Sequence, residues 1–314
     1  PVACVLRPPS QRPRVAILVP GLRDRFYPES AFARVAGPAA RAGYEVHYHL
    51  WLVRQVPPAL VWKNTWIASV GSYDYMDMGA EELQRHVLRM AWRHNVSRVS
   101  FFHRARESAT PRLPRGWSRL MGRESVDHPP LLLSLLRFTK IERLWNGTRR
   151  LGWGEYRHVI LTRDDTGWLG DLDLAGFSQP ATVHSRRQGV YCTPKVSPVV
   201  PNDNAFVMDG DAADRLLRLR SAFFRDPDPA FDAAWNVEDF FLTLARVRGL
   251  RWRFVSDDAM PFGLLTTIQA LPGSADCILC IRGVHGAGER EPGCRGPPKH
   301  DLPRCESLHR LRPA

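Results

Sequence analysis

Four carboxylates crowd one short stretch, Arg157 to Leu174, of a chain that otherwise carries an excess of positive charge. Asp164 and Asp165 follow directly on Arg163 and the apolar run Val159-Ile160-Leu161; Asp171 and Asp173 come a few residues later. Carboxylate oxygens are hard ligands. A pair of them at the end of a strand can hold Mg²⁺ or Mn²⁺ and leave coordination positions for water and a phosphate. A divalent ion beside a diphosphate neutralises charge on a leaving group, and Arg163 can add charge-assisted bonds to phosphate oxygens. The same residues also suit a turn, since Asp164-Asp165-Thr166-Gly167 has Asp early and Gly at the fourth position. Asp171-Leu172-Asp173 is a second acidic pair, placed farther from the strand end.

Another pair of acids, Glu238 and Asp239, lies in Trp235–Leu244. With Asn236 as N-cap, both fall in the first turn of a helix, where exposed N–H groups favour negative charge. That capping role accounts for them structurally. The chemical alternative is a general base toward an acceptor hydroxyl, kept ionised at neutral pH by the helix end. Two further stretches are candidates. In Val19–Phe26, Gly21 would let backbone approach a ligand and Arg23 or Arg25 would reach a phosphate, although a plain strand-to-loop turn fits as well. Asp203 and Asn204 suit a turn or a sugar hydroxyl, and His184–Arg187 reads as a solvated run.

The elements that must position these residues alternate between strand and helix. Strands are predicted at Arg14–Val19, Val46–Leu52, Ser97–His103, Val159–Thr162, Asn204–Asp209 and from Arg251, from short β-branched or aromatic runs closed by turn residues. Helices are predicted between the first two strands with Gly43 as a stop, over Ala80–Arg93, over Leu131–Trp145, and from Asp211 to about Arg220. A last one runs from Asn236 to Arg248, with Gly249 where a C′ residue belongs. Residues 104–130 read as a surface loop, and 175–201 as turns without a helical period. The expectation is an α/β chain with a mostly parallel central sheet flanked by helices, Rossmann-like in outline. Residues 1–13 are expected to be disordered, 14–265 to form one domain, and 266–314 to be a Gly/Pro/Arg-rich disordered tail. Ligands of such sheets bind at the carboxyl ends of the strands, which is where the acidic stretch lies.

Composition bounds the rest. The chain has 314 residues, is 44% hydrophobic and carries a formal charge of +12, with a pI near 10.0 and mean hydropathy of −0.29. No apolar run reaches the ~18 residues a membrane span needs. Starting at Pro1, the chain reads as a fragment or processed form. The positive charge is nearly all Arg, accompanied by abundant Ala, Gly and Pro, and it forms no long run. It therefore reads first as a solvated surface and only second as a polyanion site. Cys277-x-x-Cys280 with Cys305 and His309 has ligand types for zinc but matches no common spacing, so incidental thiols in a tail are the expectation. Asn95-Val-Ser97 and Asn146-Gly-Thr148 are glycosylation triplets.

Taken in order, these pieces resemble a nucleotide-sugar-dependent glycosyltransferase of the GT-A fold, of the divergent eukaryotic type. There the first strand ends in Gly-x-Arg (here Gly21, Arg23) and the metal-site strand in Arg-x-Asp (here Arg163, Asp165). A hydroxyl-rich loop, strand and helix then precede a Glu-Asp-x-x-Leu helix start (here Glu238, Asp239, Leu242). The similarity covers Val15 to Phe262. It implies that Gly21, Arg23 and Arg163 meet the nucleotide diphosphate, that Asp165 with Asp164 meets Mn²⁺ or Mg²⁺, and that Glu238 or Asp239 stands near the acceptor. A Golgi or other secretory lumen follows from the resemblance alone. The metal motif departs from a clean Asp-x-Asp, and Pro20 stands where related chains often have a small polar residue. The leading expectation is sugar transfer from a nucleotide-diphosphate donor to a hydroxyl. The alternatives are a non-catalytic polyanion- or glycan-binding protein on the same sheet, and a metal-dependent phosphohydrolase using Asp164, Asp165, Asp171 and Asp173.

Overall fold

The structure, a computed structural model, describes residues 2–8, 11–22, 26, 28–53, 79–102, 129–187, 201–234, 237–270 and 277–282. The chain opens with strands β1 (Val2–Val5) and β2 (Arg14–Leu22). An almost continuous helical segment follows: α1 (Pro28–Ala31), a π-helical turn at Phe32–Ala36 and α2 (Gly37–Arg41). Then come β3 (Glu45–Val53), α3 (Ala80–Arg93), β4 (Arg98–Phe101), α4 (Pro129–Arg150), β5 (His158–Thr162) and β6 (Thr166–Trp168). After a 3₁₀ turn at Leu174–Phe177 the order is β7 (Thr182–Arg186), β8 (Ala205–Met208), α5 (Gly210–Leu216) and α6 (Leu219–Arg225). A second 3₁₀ turn, Pro229–Ala233, leads to α7 (Val237–Val247), β9 (Arg251–Val255), β10 (Phe262–Ala270) and β11 (Cys277–Arg282).

Eight strands form one sheet in the order β1-β4-β3-β2-β5-β8-β7-β9, and β11-β10-β6 form a second, smaller sheet. The fold is α/β, but the large sheet is mixed rather than mostly parallel. β2–β3, β3–β4, β2–β5 and β7–β9 pair in parallel. β1 and β8 run against their neighbours. β8 thus lies between β5 and β7 and runs against both.

The central strands are buried on both faces, which is why they read as near-continuous apolar runs. Along β2, Val15, Ile17 and Val19 join the core shared with Phe32 and Tyr48, whereas Ala16 and Leu18 face the core built with α4 and α5–α7. The α3 stripe of Leu83, Val87 and Met90 is buried as its spacing predicts. On the other face Phe138 of α4 stacks on Phe240 of α7, ring centroids 5.0 Å apart. Gly249 has φ +67°, the left-handed conformation that ends α7.

Several expectations change. Val2–Val5 is not disordered, because it pairs with β4 and extends the sheet edge. β2 continues through Pro20 and Gly21, where a stop is predicted. The helix expected from Asp211 to Arg220 breaks at Leu217–Arg218 into α5 and α6. Strand β7 lies inside the stretch read as turns, and the run read as solvated is largely internal, with His184 and Ser185 fully buried and Arg186 nearly so. β10 and β11 form an antiparallel hairpin past Leu265, so order extends into the stretch assigned to the tail. Residues 103–128, 188–200 and 283–314 lie outside the described residues, as do Arg23, Arg25, Asn236, Cys305 and His309. Among the described residues no helix is long and apolar enough to cross a membrane.

Candidate functional site

Chain order locates the site. From β2 the chain moves to β3 and β4 on one side, then returns through α4 to β5 on β2's other side. The carboxyl ends of β2 and β5 thus flank the topological switch point, where open α/β sheets have their ligand crevice. Gly21 lies at the end of β2, and Arg163-Asp164-Asp165 directly follows β5. The acidic turn also joins the two sheets, because β6 begins at its next residue and pairs with β10.

Asp164 ties these strand ends together. Leu22 N–H donates to its Oδ2 at 2.9 Å. A Cβ on Gly21 would lie 2.3 Å from both Cβ and Cγ of Asp164, so no side chain fits there without displacing the carboxylate. Asp164 therefore braces the switch point. The turn itself closes one residue earlier than predicted, with Thr166 N–H donating to Arg163 O at 3.4 Å.

Asp165, 4% exposed, is held by Arg163 through two parallel bonds: Nε to Oδ1 and Nη2 to Oδ2, each 2.8 Å. Arg163 Nη1 points onward to Asp203 Oδ1 at 3.4 Å. Asp203 is fixed from the far side by Arg137 of α4, which bonds its Oδ2 and, at 2.6 Å, its main-chain oxygen. The result is a chain of alternating charge, Arg137–Asp203–Arg163–Asp165. Backbone anchors it, because Arg163 N–H and Thr166 Oγ1–H both donate to Asn204 O, at 2.9 and 3.1 Å.

Glu238 completes the cluster electrostatically. Burial, then the Asp203 carboxylate, push its pKa up to about 7, against the opposing pull of Arg137 and Arg163. The helix end does not keep it fully ionised at neutral pH, as its position alone suggests; burial and a neighbouring carboxylate outweigh that effect. Burial opposes charge on Arg163 as well, but Asp165 and Asp203 more than offset it and raise its pKa. For Asp203 burial raises the pKa, yet Arg137 and Arg163 prevail and hold it below the usual carboxylate range. Among the described residues the ion-pair chain alternates two guanidinium groups, Arg137 and Arg163, with two carboxylates, Asp203 and Asp165.

Among the described residues no three of His, Cys, Asp or Glu gather so as to hold an ion by themselves. Mg²⁺-type sites commonly use one or two carboxylates plus substrate phosphates. The carboxylate oxygens of Asp165 are of the donor type that fits a cation sharing its shell with a diphosphate.

Of the residues singled out in sequence, Gly21, Arg163, Asp164 and Asp165 meet at the switch point, and Glu238 stands in the same field. Asp239 lies beside it in the first turn of α7. Asp171 and Asp173 are occupied elsewhere: Asp171 pairs with Arg34 and Arg41 at 3.2 and 3.0 Å, and Asp173 caps the 3₁₀ turn through Ala175 N–H. Arg137 escapes sequence reading because it is a single charge inside the apolar run that opens α4. Its flank is the only signal, since neighbouring Leu136 and Phe138 are buried and the Phe138–Phe240 stack brings α4 alongside the helix that carries Glu238.

A separate cavity of about 480 Å³ opens at the amino end of the sheet, lined in part by Arg14, Arg157, His158 and Asp209. Asp209 is structural there, accepting from Ala212 N–H at 2.6 Å and Ala181 N–H at 2.8 Å. Neither a protein-family model nor a curated protein matches the chain.

Proposed function

We propose that the chain is a glycosyltransferase with a GT-A-like sheet, moving a sugar from a nucleotide-diphosphate donor to a hydroxyl acceptor with a divalent cation at Asp165. What supports this reading is the bidentate pair of Arg163 and Asp165 beside the β2–β5 switch point, with Glu238, a carboxyl group of raised pKa, in the field of Arg163 and Asp203. A nucleotide site is expected at that crevice. A carboxyl group with pKa near the working pH suits proton abstraction.

In this mechanism Glu238 accepts the proton of the acceptor hydroxyl as its oxygen bonds to the anomeric carbon of the sugar. The bond from that carbon to the diphosphate oxygen breaks, and the diphosphate leaves with the electron pair. Arg163 places its guanidinium against the charge developing on the leaving oxygens. When bound at Asp165, Mn²⁺ or Mg²⁺ supplies Lewis acidity to the same group. Asp164 acts through position, keeping the end of β2 against the turn. The secretory compartment of the resembling family belongs to this proposal.

Calorimetric titration with UDP and GDP, with and without Mn²⁺, tests the reading beside Asp165→Asn. Metal-dependent nucleotide binding that disappears in the variant is expected. Binding of a polyanion that is steeply salt-dependent, ignores metal and survives Asp165→Asn would replace it with the non-catalytic alternative.

A further inference from the structure

The turn after β5 carries an arrangement that a simple metal site lacks: the carboxylate that would meet the cation is already satisfied. Arg163 covers both oxygens of Asp165 at 2.8 Å. Its remaining nitrogen faces Asp203 at the longer distance of 3.4 Å, and Arg137 pins Asp203 by side chain and main chain. Arg163 therefore has one tight partner and one looser partner that cannot drift away.

We propose that Arg163 is a built-in counterion for Asp165, and that cation and nucleotide diphosphate bind jointly by replacing it. The guanidinium transfers to phosphate oxygens while Asp203 and Arg137 retain it in the site. This rests on the functional reading above and adds the order of events within it.

The physical case is one of charge. A bare cation must part a mostly buried, bidentate ion pair and leave a guanidinium without its carboxylate, which is unfavourable. A bare diphosphate meets a guanidinium whose nitrogens are already taken up by Asp165 and Asp203. When both arrive, Asp165 exchanges Arg163 for the cation and Arg163 exchanges Asp165 for phosphate, so every charge stays paired. Each ligand then raises the affinity for the other by the same factor. Asp203 and Arg137 are positioning residues in this scheme.

The experiment is calorimetry on the full chain with MnCl₂ alone, UDP alone and UDP at saturating MnCl₂, for wild type, Arg163→Gln and Arg163→Lys. In wild type each ligand should tighten the other by about tenfold or more. Both variants should bind Mn²⁺ alone about tenfold more tightly than wild type, because neither Gln nor Lys can occupy both oxygens of Asp165. The dependence of UDP binding on Mn²⁺ should shrink in both. A gain of metal affinity is not what general loosening of the fold produces. Wild-type binding of Mn²⁺ that is as tight without UDP as with it overturns the proposal without recourse to a variant. Coupling that survives unchanged in Arg163→Gln or Arg163→Lys overturns it too, and leaves the functional reading standing. Absence of Mn²⁺ and UDP binding in every wild-type titration overturns both.

Discussion

At the scale of single residues, the group whose environment matters most is Glu238. Its sequence position suggests a helix-capping carboxylate that is always ionised. Burial and Asp203 instead put its pKa at about 7, so its charge changes within the working range of most enzymes. A base must be ionised to accept a proton. On the proposed function, the rate of sugar transfer should therefore rise as pH increases through about 7 and level off above it. Glu238→Gln should lower the rate by ~10²–10⁴-fold and remove that inflection, while nucleotide binding persists. A pH–rate profile that keeps its inflection in the variant would assign the ionisation to another group. Asp165 and Arg163 were legible from the sequence as chemically capable; that they neutralise each other was not, because two neighbours in sequence reveal nothing about rotamers.

At the scale of elements, the candidate site depends on how two strand ends are joined. Gly21 and Asp164 are 143 positions apart, yet a single added carbon on Gly21 would lie 2.3 Å from the Asp164 side chain. Gly21→Ala should cost ~1–3 kcal/mol, as overpacking of close-packed sites does, and should weaken nucleotide binding by moving the acidic turn. Denaturant melts paired with UDP titration check both parts; an alanine variant of unchanged stability and affinity would show that the turn moves freely. Strand β7 illustrates the limit of reading elements from pattern. Thr182–Arg186 contains His184, Ser185 and Arg186, and polar side chains conceal a strand whose every residue is buried. What makes it a strand is its neighbours, antiparallel β8 and parallel β9. Trp252 Nε1–H also donates to Ser185 Oγ at 2.9 Å.

At the scale of the whole molecule, the core contains imidazoles that must stay neutral. His47 lies in a buried network, bonding Glu45 at 2.9 Å and the Tyr156 hydroxyl at 3.0 Å, while His49 bonds Ser100 Oγ at 2.7 Å. Desolvation lowers the pKa of His47, His158 and His184 to about 4. His49 is driven well below its ordinary value by burial and by His47. A histidine whose pKa is depressed on folding binds its proton in the unfolded chain first, so stability is complete above pH ~6.5 and falls as pH drops toward 4. Each such group costs about 3 kcal/mol by the end of that window, against a total of ~5–15 kcal/mol for a typical domain. The denaturation midpoint should decline steadily from pH 6.5 downward, and His184→Leu should flatten part of the slope, since neither ring nitrogen of His184 has a hydrogen-bond partner among the described residues. A midpoint constant to pH 5 would mean that these rings are not buried in neutral form.

The sequence by itself determined the α/β class, most of the central strands and the stripe of α3, because burial on both faces of a sheet, or along one face of a helix, writes a local period into the chain. It also placed Asp164 and Asp165 at a strand end, since an apolar run followed by turn residues is a local signal. The tertiary structure alone decided the mixed order of the sheet, the edge strand Val2–Val5 and the β10–β11 hairpin. It alone joined Arg137, Asp203 and Glu238 to Arg163 from three distant segments. Strand order and ion pairing arise from contacts between residues far apart in the chain, and charge interactions depend on the distance and burial that only the folded molecule sets.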